Sequence, residues 1–173
     1  NENNKCKFGA LDIDQYPLDH NSLVSKLNEL KVPCIVCRSK SGGAHIFFFF
    51  KEWMDASDFR DKAAEIAAGL GHGRCEIFPK QEQVLVERGD VGNINLPYFD
   101  HAKTLRYAVI QKEDEYTEAT LEEFVEEIKK QTCSPKDFMN IPIGGPANLF
   151  PGFVPCLRAL LSVGVHEGGR NKT

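Results

Sequence analysis

Between Phe8 and Phe78 the hydrophobic period of the chain alternates between that of a strand and that of a helix, in the order β-α-β-β-α-β. That order constrains the fold more than any other feature, because it is the pattern of a split βαβ sheet with both helices on one face. "KFGALDIDQ" reads as the first strand. "DHNSLVSKLNELK" reads as a helix, with an Asp/Asn cap and then Leu23, Leu27 and Leu30 at helical spacing. "PCIVCRS" is a strand introduced by Pro33, and "AHIFFFF" is a third strand rich in aromatics. The Ser-Gly-Gly turn between them predicts a hairpin. "DASDFRDKAAEIAAGLG" reads as a second helix, capped near Asp55 or Ser57 and stopped by Gly69 and Gly71, and "CEIFPKQ" as the strand that follows.

Beyond residue 80, "VLVE" reads as a further short strand, "ERGDVGN" as a turn, and "ATLEEFVEEIKKQ" as an amphipathic helix with a strongly acidic outer face. From Ser134 to Gly152 prolines and glycines multiply, which reads as a linker, and "VPCLRALLSVGV" then begins a new helix. The expected fold class is therefore α+β: a split βαβ sheet of the kind shared by RNA-recognition and polymerase-palm modules, with helices packed on it and a C-terminal helical tail. The expected organisation is a core over residues 1–133, a linker over 134–152 and the start of a truncated helical domain over 153–173. The chain opens without methionine and stops at "GGRNKT", so an excised fragment of a longer protein is expected.

An apolar content of 42% is enough for a real core, and a net charge of −4 argues against a purely electrostatic nucleic-acid binder. A local basic groove remains compatible with it. Six cysteines in a chain of this size do not form the pattern of a disulfide scaffold, and a reducing cytoplasm is the expected setting. No apolar run is long enough to cross a bilayer, so no membrane partner is expected.

The chemistry concentrates on three stretches. In "LDID", Asp12 and Asp14 are two residues apart on a strand, so both carboxylates leave one face while Leu11 and Ile13 enter the core. Two carboxylates on one face repel unless a cation lies between them. Glu76, between Cys75 and Ile77, again interrupts an apolar strand with one acid. Together with the aspartates it would complete a three-carboxylate site for two divalent metals, an arrangement suited to in-line phosphoryl transfer. The turn "RSKSGGAH" supplies Arg38, Ser39, Lys40, Ser41 and His45, while Gly42 and Gly43 permit backbone N–H groups to approach phosphate oxygens.

In this order, "LDID", "SKSGGAH" and "CEIFPKQ" resemble the three motifs of the archaeo-eukaryotic primase superfamily, in particular the primase-polymerases of phages, plasmids and mobile elements, and "GNINLPYFD" is similar to a Gly-Asn…Leu-Pro segment common among them. The resemblance covers roughly residues 8 to 110. It implies that Asp12, Asp14 and Glu76 are catalytic metal ligands for Mg²⁺ or Mn²⁺, and that His45 contacts the incoming triphosphate. The nucleotide-binding set expected around it is Arg38, Lys40, Ser41, Gly43, Lys80, Asn93 and Asn95. The implied activity is template-directed nucleotidyl transfer from NTPs or dNTPs, on a single-stranded DNA template with a primer strand. A helicase fused or associated in the parent protein and a bacterial, phage or mobile-element replication context are implied with it.

Other readings compete. A catalytically silent nucleic-acid-binding module on the same sheet would need exposed aromatics and a basic surface, and acids on the central strand oppose it. A two-metal nuclease is a third class. A rolling-circle initiator would need a paired-histidine motif, and no His-x-His occurs. Cys34 and Cys37 are three apart on a strand and so read as core rather than zinc ligands. His72 reads as a helix cap, Cys75 and Cys156 as packing, Phe47 to Phe50 as a buried strand, and Arg88 and Arg106 as solvated surface residues.

Overall fold

The structure, a computed structural model, describes residues 3–80, 93–113 and 115–143. Among them the elements run β1 (Lys5–Ile13), α1 (His20–Glu29), β2 (Ile35–Arg38), β3 (Ala44–Asp55), α2 (Ala56–Leu70), β4 (Glu76–Phe78), α3 (His101–Thr104), β5 (Ala108–Lys112), β6 (Glu115–Glu118), α4 (Leu121–Gln131) and α5 (Pro135–Met139). The six strands form one open sheet in the order β4-β1-β3-β2-β5-β6, with every pair of neighbours antiparallel. The fold is α+β. Its first four strands have the split βαβ order, in which β1 and β3 are central and the two crossovers carry α1 and α2.

Alternation along each strand separates two apolar layers. Leu11, Ile13, Ile46 and Phe48 pack with Leu23, Val24 and Leu27 of α1 and with Phe59, Ala63, Ile66 and Ala67 of α2. Ala10, Cys37, Phe47, Phe78 and Ala108 point the other way and pack with Phe124 of α4. The four-phenylalanine run is therefore shared between two cores, Phe48 and Phe50 on the α1/α2 face and Phe47 on the other, a division that only a strand can make. Asp19 caps α1 by accepting from Ser22 N at 3.1 Å, and Thr120 with Glu123 forms a capping box on α4. α2 runs through Gly69 and ends at Gly71, whose φ of 86° supplies the left-handed cap.

Several readings from sequence change here. β1 ends at Ile13, so Asp14 lies just beyond the strand instead of within it. β4 is only three residues long, because Pro79 has no N–H with which to continue a ladder. "VLVE" falls outside the described residues. The hairpin β5–β6 and the short α3 carry weak periodicity and were not expected.

The linker reading also fails at its start. Residues 135–139 form α5, capped by Ser134, whose hydroxyl accepts from Asp137 N at 3.1 Å. Phe138 is fully buried among Phe48, Phe50 and Phe59, with ring centroids 5.1–5.6 Å away. Ile141 and Ile143 are buried in the same layer, and the buried Lys62 of α2 donates to Ile141 O at 2.7 Å. Residues 134–143 thus belong to the core, because an aromatic at each of β3, α2 and α5 is needed to fill one space. The helical tail expected over 153–173 lies outside the described residues.

Candidate active site

The register of the sheet brings the three sequence motifs together. Asp12 on β1 is paired directly with His45 on β3 and, on its other side, with Glu76 on β4. His45 is in turn paired with Cys37 on β2. All four side chains leave the sheet on the face opposite α1 and α2. Stretches separated by more than thirty residues in the chain therefore end up within one or two strand spacings, about 5 to 10 Å.

Asp12 Oδ1 lies 3.3 Å from His45 Nε2, without the angle of a hydrogen bond, and among the described residues this buried oxygen has no donor. His45 is only 6% exposed and its ring meets Phe47 edge-on at 6.0 Å, so its position is fixed by packing. Asp14 is exposed and accepts from the Tyr16 hydroxyl at 2.8 Å. That bond pushes the Tyr16 phenol above its ordinary pKa, while the nearby Ser41 hydroxyl opposes the shift. Tyr16 thus holds the second acid just beyond the end of β1. Glu76 is exposed and ion-paired with Lys80 at 2.9 Å, and the Lys80 ammonium also sits 5.0 Å from the Phe78 ring. Cys75 packs against the α1/α2 layer, where burial and then the Asp12 charge push its thiol up to about 11.

The turn itself has a structural explanation for its glycines. Gly42 N donates to Ser39 O at 3.0 Å and Ser39 N to Gly43 O at 2.9 Å, with Gly42 at φ 94°. This is a three-residue hairpin loop with its left-handed position filled by glycine. At Gly43 a Cβ would lie 2.3 Å from Ile13 O, so the end of β1 can pass only if that residue has no side chain. Gly43 O also accepts from His20 Nε2 at 2.9 Å. Arg38 spends Nη1 on the carbonyls of Ser39 and Leu105, both at 3.1 Å, leaving Lys40 and Ser41 as the exposed polar groups of the loop. Asn93 and Asn95 are both exposed and flank Ile94, which packs in the Phe47 layer.

A cleft of about 530 Å³ opens beside the acids, lined by Asp12, Asp14 and Glu76 together with His72 and Arg74 from the α2–β4 connection. These last two were not expected to contribute. Arg74 stands two residues before Glu76, so continuing the strand alternation backwards would have found it. His72 does follow the helix cap, donating its N–H to Ala67 O at 2.8 Å, but its ring also faces the cleft. Burial lowers its pKa, with the Lys26 charge a smaller cause, so the ring favours its neutral form. Arg106, read from sequence as solvated, is 8% exposed.

The donor set suits a hard divalent cation: carboxylate oxygens, one of them buried with no hydrogen-bond donor. Among the described residues no three His, Cys, Asp or Glu side chains are gathered as a closed ligand shell; Glu76 is paired with Lys80 and Asp14 with the Tyr16 hydroxyl. Both of these acids are exposed. Cys34 and Cys37 fall in different layers and do not converge. No helix among the described residues is long and apolar enough to cross a membrane.

A comparison with curated proteins gives no match. The family model for the archaeo-eukaryotic primase domain of the TOTE conflict system matches residues 1–137, which include every motif residue described above. The superfamily is one of primase-like nucleotidyltransferases, for which nucleotides and nucleic acid are the substrates. With the match spanning most of the sequence, the chain belongs to the archaeo-eukaryotic primase domain family of the TOTE conflict system.

Proposed function

We propose that the chain is a template-directed primase-polymerase that joins NTPs or dNTPs on single-stranded DNA, with Asp12, Asp14 and Glu76 as ligands for Mg²⁺ or Mn²⁺. The observation that carries this reading is the cross-strand row Glu76–Asp12–His45 on the sheet face opposite α1 and α2. When bound, divalent ions at such a site activate a hydroxyl nucleophile and stabilise charge on the leaving pyrophosphate.

The chain's own residues supply position and charge. Asp12 sits on a central strand flanked by β3 and β4, so its carboxylate is held by the sheet and cannot drift with a loop. His45, locked against Phe47 beside Asp12, offers Nε2 to a phosphate oxygen bound at the same place. Lys40 and Ser41 are exposed on the loop next to it and can close over the outer phosphates. Lys80, released from Glu76 when that carboxylate turns to a metal, becomes a free cation at the other side of the acids. Asn93 and Asn95 are the proposed amide contacts to sugar or base.

The test is primer extension by the purified chain, with NTPs and dNTPs supplied separately and Mg²⁺ or Mn²⁺ varied. Incorporation that requires template and divalent metal supports the reading. No incorporation in any combination, together with retained single-strand binding, would instead favour a silent nucleic-acid-binding module.

A further inference from the structure

Two large aromatic side chains stand half in water at one end of the sheet: Phe8 at 45% exposure and Trp53 at 50%. Scattered single apolar residues are ordinary on a protein surface and call for no role. These two share one surface, as the strand register shows. On the face opposite α1 and α2, Asp12 is paired with His45, then Ala10 with Phe47, then Phe8 with Phe49. The ladder slips between Phe8 and Cys6 and resumes with Cys6 opposite Met54 and Lys5 opposite Asp55. Cys6 and Met54 pack in the α1/α2 layer, so their neighbours Lys7 and Trp53 turn to the same face as Phe8. The Lys7 ammonium lies 5.8 Å from the centre of the Trp53 ring and donates to Lys51 O.

The exposure has a local cause. β4 pairs with β1 only at Ala10, Leu11 and Asp12, because Pro79 stops it, so among the described residues Phe8 has a strand on one side only. Nearer the acids, Ala10 and Phe47 are buried and pack with Phe78 of β4 and Phe124 of α4. The patch is therefore a second surface, set off from the acids by that packed row. Ring contacts nevertheless run through it from His45 to Phe47, Phe49 and Phe8, at centroid distances of 6.0, 6.3 and 6.4 Å. Lys7 and Lys51 bring two positive charges to the patch and Glu52 one negative, while Lys5 and Asp55 pair with each other at 3.7 Å.

We propose that Phe8, Trp53 and Lys7 form a landing site for single-stranded nucleic acid, where unpaired bases stack on the two rings and the lysines meet the adjoining phosphates. Every base has a π-face, so such a platform tolerates any sequence, and nearby cations add the sequence-independent attraction to the backbone. A duplex hides its base faces in its own stack and finds nothing to place on the rings. Four residues of β1 separate Phe8 from Asp12, about 13 Å. About four nucleotides at roughly 3.4 Å each span that distance, so one strand can reach both the acids and the patch. The proposal rests on the primase-like reading only for the class of its ligand.

Trp53 is the single tryptophan of the chain, so its fluorescence reports on this surface and no other. The experiment titrates the full chain in metal-free buffer with a twelve-nucleotide oligodeoxythymidylate, with a duplex of the same length and with dTTP. Binding is followed in parallel by the anisotropy of a labelled copy of the single strand. The expected result is that the single strand quenches Trp53 over the concentrations at which anisotropy rises, whereas the duplex and dTTP leave the emission near its starting value. Phe8→Ala and Trp53→Ala should each weaken single-strand binding by about tenfold, and Lys7→Gln by less, with dTTP affinity unchanged in all three. A bound single strand that leaves Trp53 emission unaltered overturns the proposal. So does equal affinity in Trp53→Ala, which would mark the patch as a protein contact instead, and so does the absence of single-strand binding. Should Phe8→Ala lose its fold along with its packing on Phe49, Trp53→Ala and the emission of the parent chain decide alone. None of these readouts needs nucleotide addition, so a failure of primer extension would count against the proposed activity and leave this site standing.

Discussion

Asp12 and His45 face each other across β1 and β3 with 3.3 Å between Oδ1 and Nε2, although thirty-two residues separate them in the chain. On its other side Asp12 faces Glu76. An acid with a histidine on one flank and a second acid on the other is poised between two charge patterns. It can be compensated by the imidazole, or it can share a cation with the glutamate.

Asp12→Asn keeps the side-chain volume and removes a metal ligand. Its incorporation rate in primer extension should fall by about two to three orders of magnitude, while the melting temperature stays within a few degrees of the parent. Glu76→Gln should fall similarly. Cys75→Ser, whose side chain packs in the α1/α2 layer, should instead lower the melting temperature and leave the rate near that of the parent. A Cys75→Ser protein that is stable and inactive would shift the third acid motif by one residue.

Gly43→Ala should destabilise the chain by about 1–3 kcal/mol, because its Cβ would stand 2.3 Å from Ile13 O and backbone must move. Gly42→Ala meets only open space and the end of Arg38, so it should cost about 1 kcal/mol, the strain of a left-handed alanine. Urea titration of both variants checks the order. Equal losses would mean that the hairpin relaxes away from β1.

Phe138→Ala should cost about 3–5 kcal/mol, because it empties a space shared by Phe48, Phe50 and Phe59. A chain ending at Cys133 should be destabilised at least as much, since it also loses Ile141, Ile143 and the carbonyl that holds Lys62. A chain ending at Ile143 keeps all of these. Thermal melts of the two truncations decide where the catalytic unit ends, and equal stability would detach α5 from the core.

Tyr98 donates its hydroxyl to Ala119 O at 2.8 Å and accepts from Ala108 N at 3.1 Å, and burial pushes its pKa up to about 12 from an ordinary value near 10. The folded state therefore holds the phenolic proton more tightly than the unfolded state does. Its contribution to stability is complete below pH 10 and is lost as pH rises from there through 12. Stability measured across that window should fall less steeply in Tyr98→Phe than in the parent. An identical slope would show that other groups set the alkaline limit.

Local patterns were enough to recover the order of the first six elements, because each is amphipathic with a clear period and a local stop: Asp19 before α1, Gly42 in the hairpin, Gly71 after α2. The acids Asp12 and Glu76 were legible for a related reason, since a carboxylate that interrupts an apolar strand is costly without a role. What the chain could not state locally is pairing. Whether His45 meets Asp12 depends on register between strands that are distant in sequence, and register follows from packing both faces of the sheet at once. The same holds for α5. Prolines and glycines around it resemble a linker, and only the space left between Phe48, Phe50 and Phe59 makes Phe138 part of the core. Arg106 was misread because burial is a property of the whole fold, and nothing in "LRYAV" says which face of the sheet will be covered.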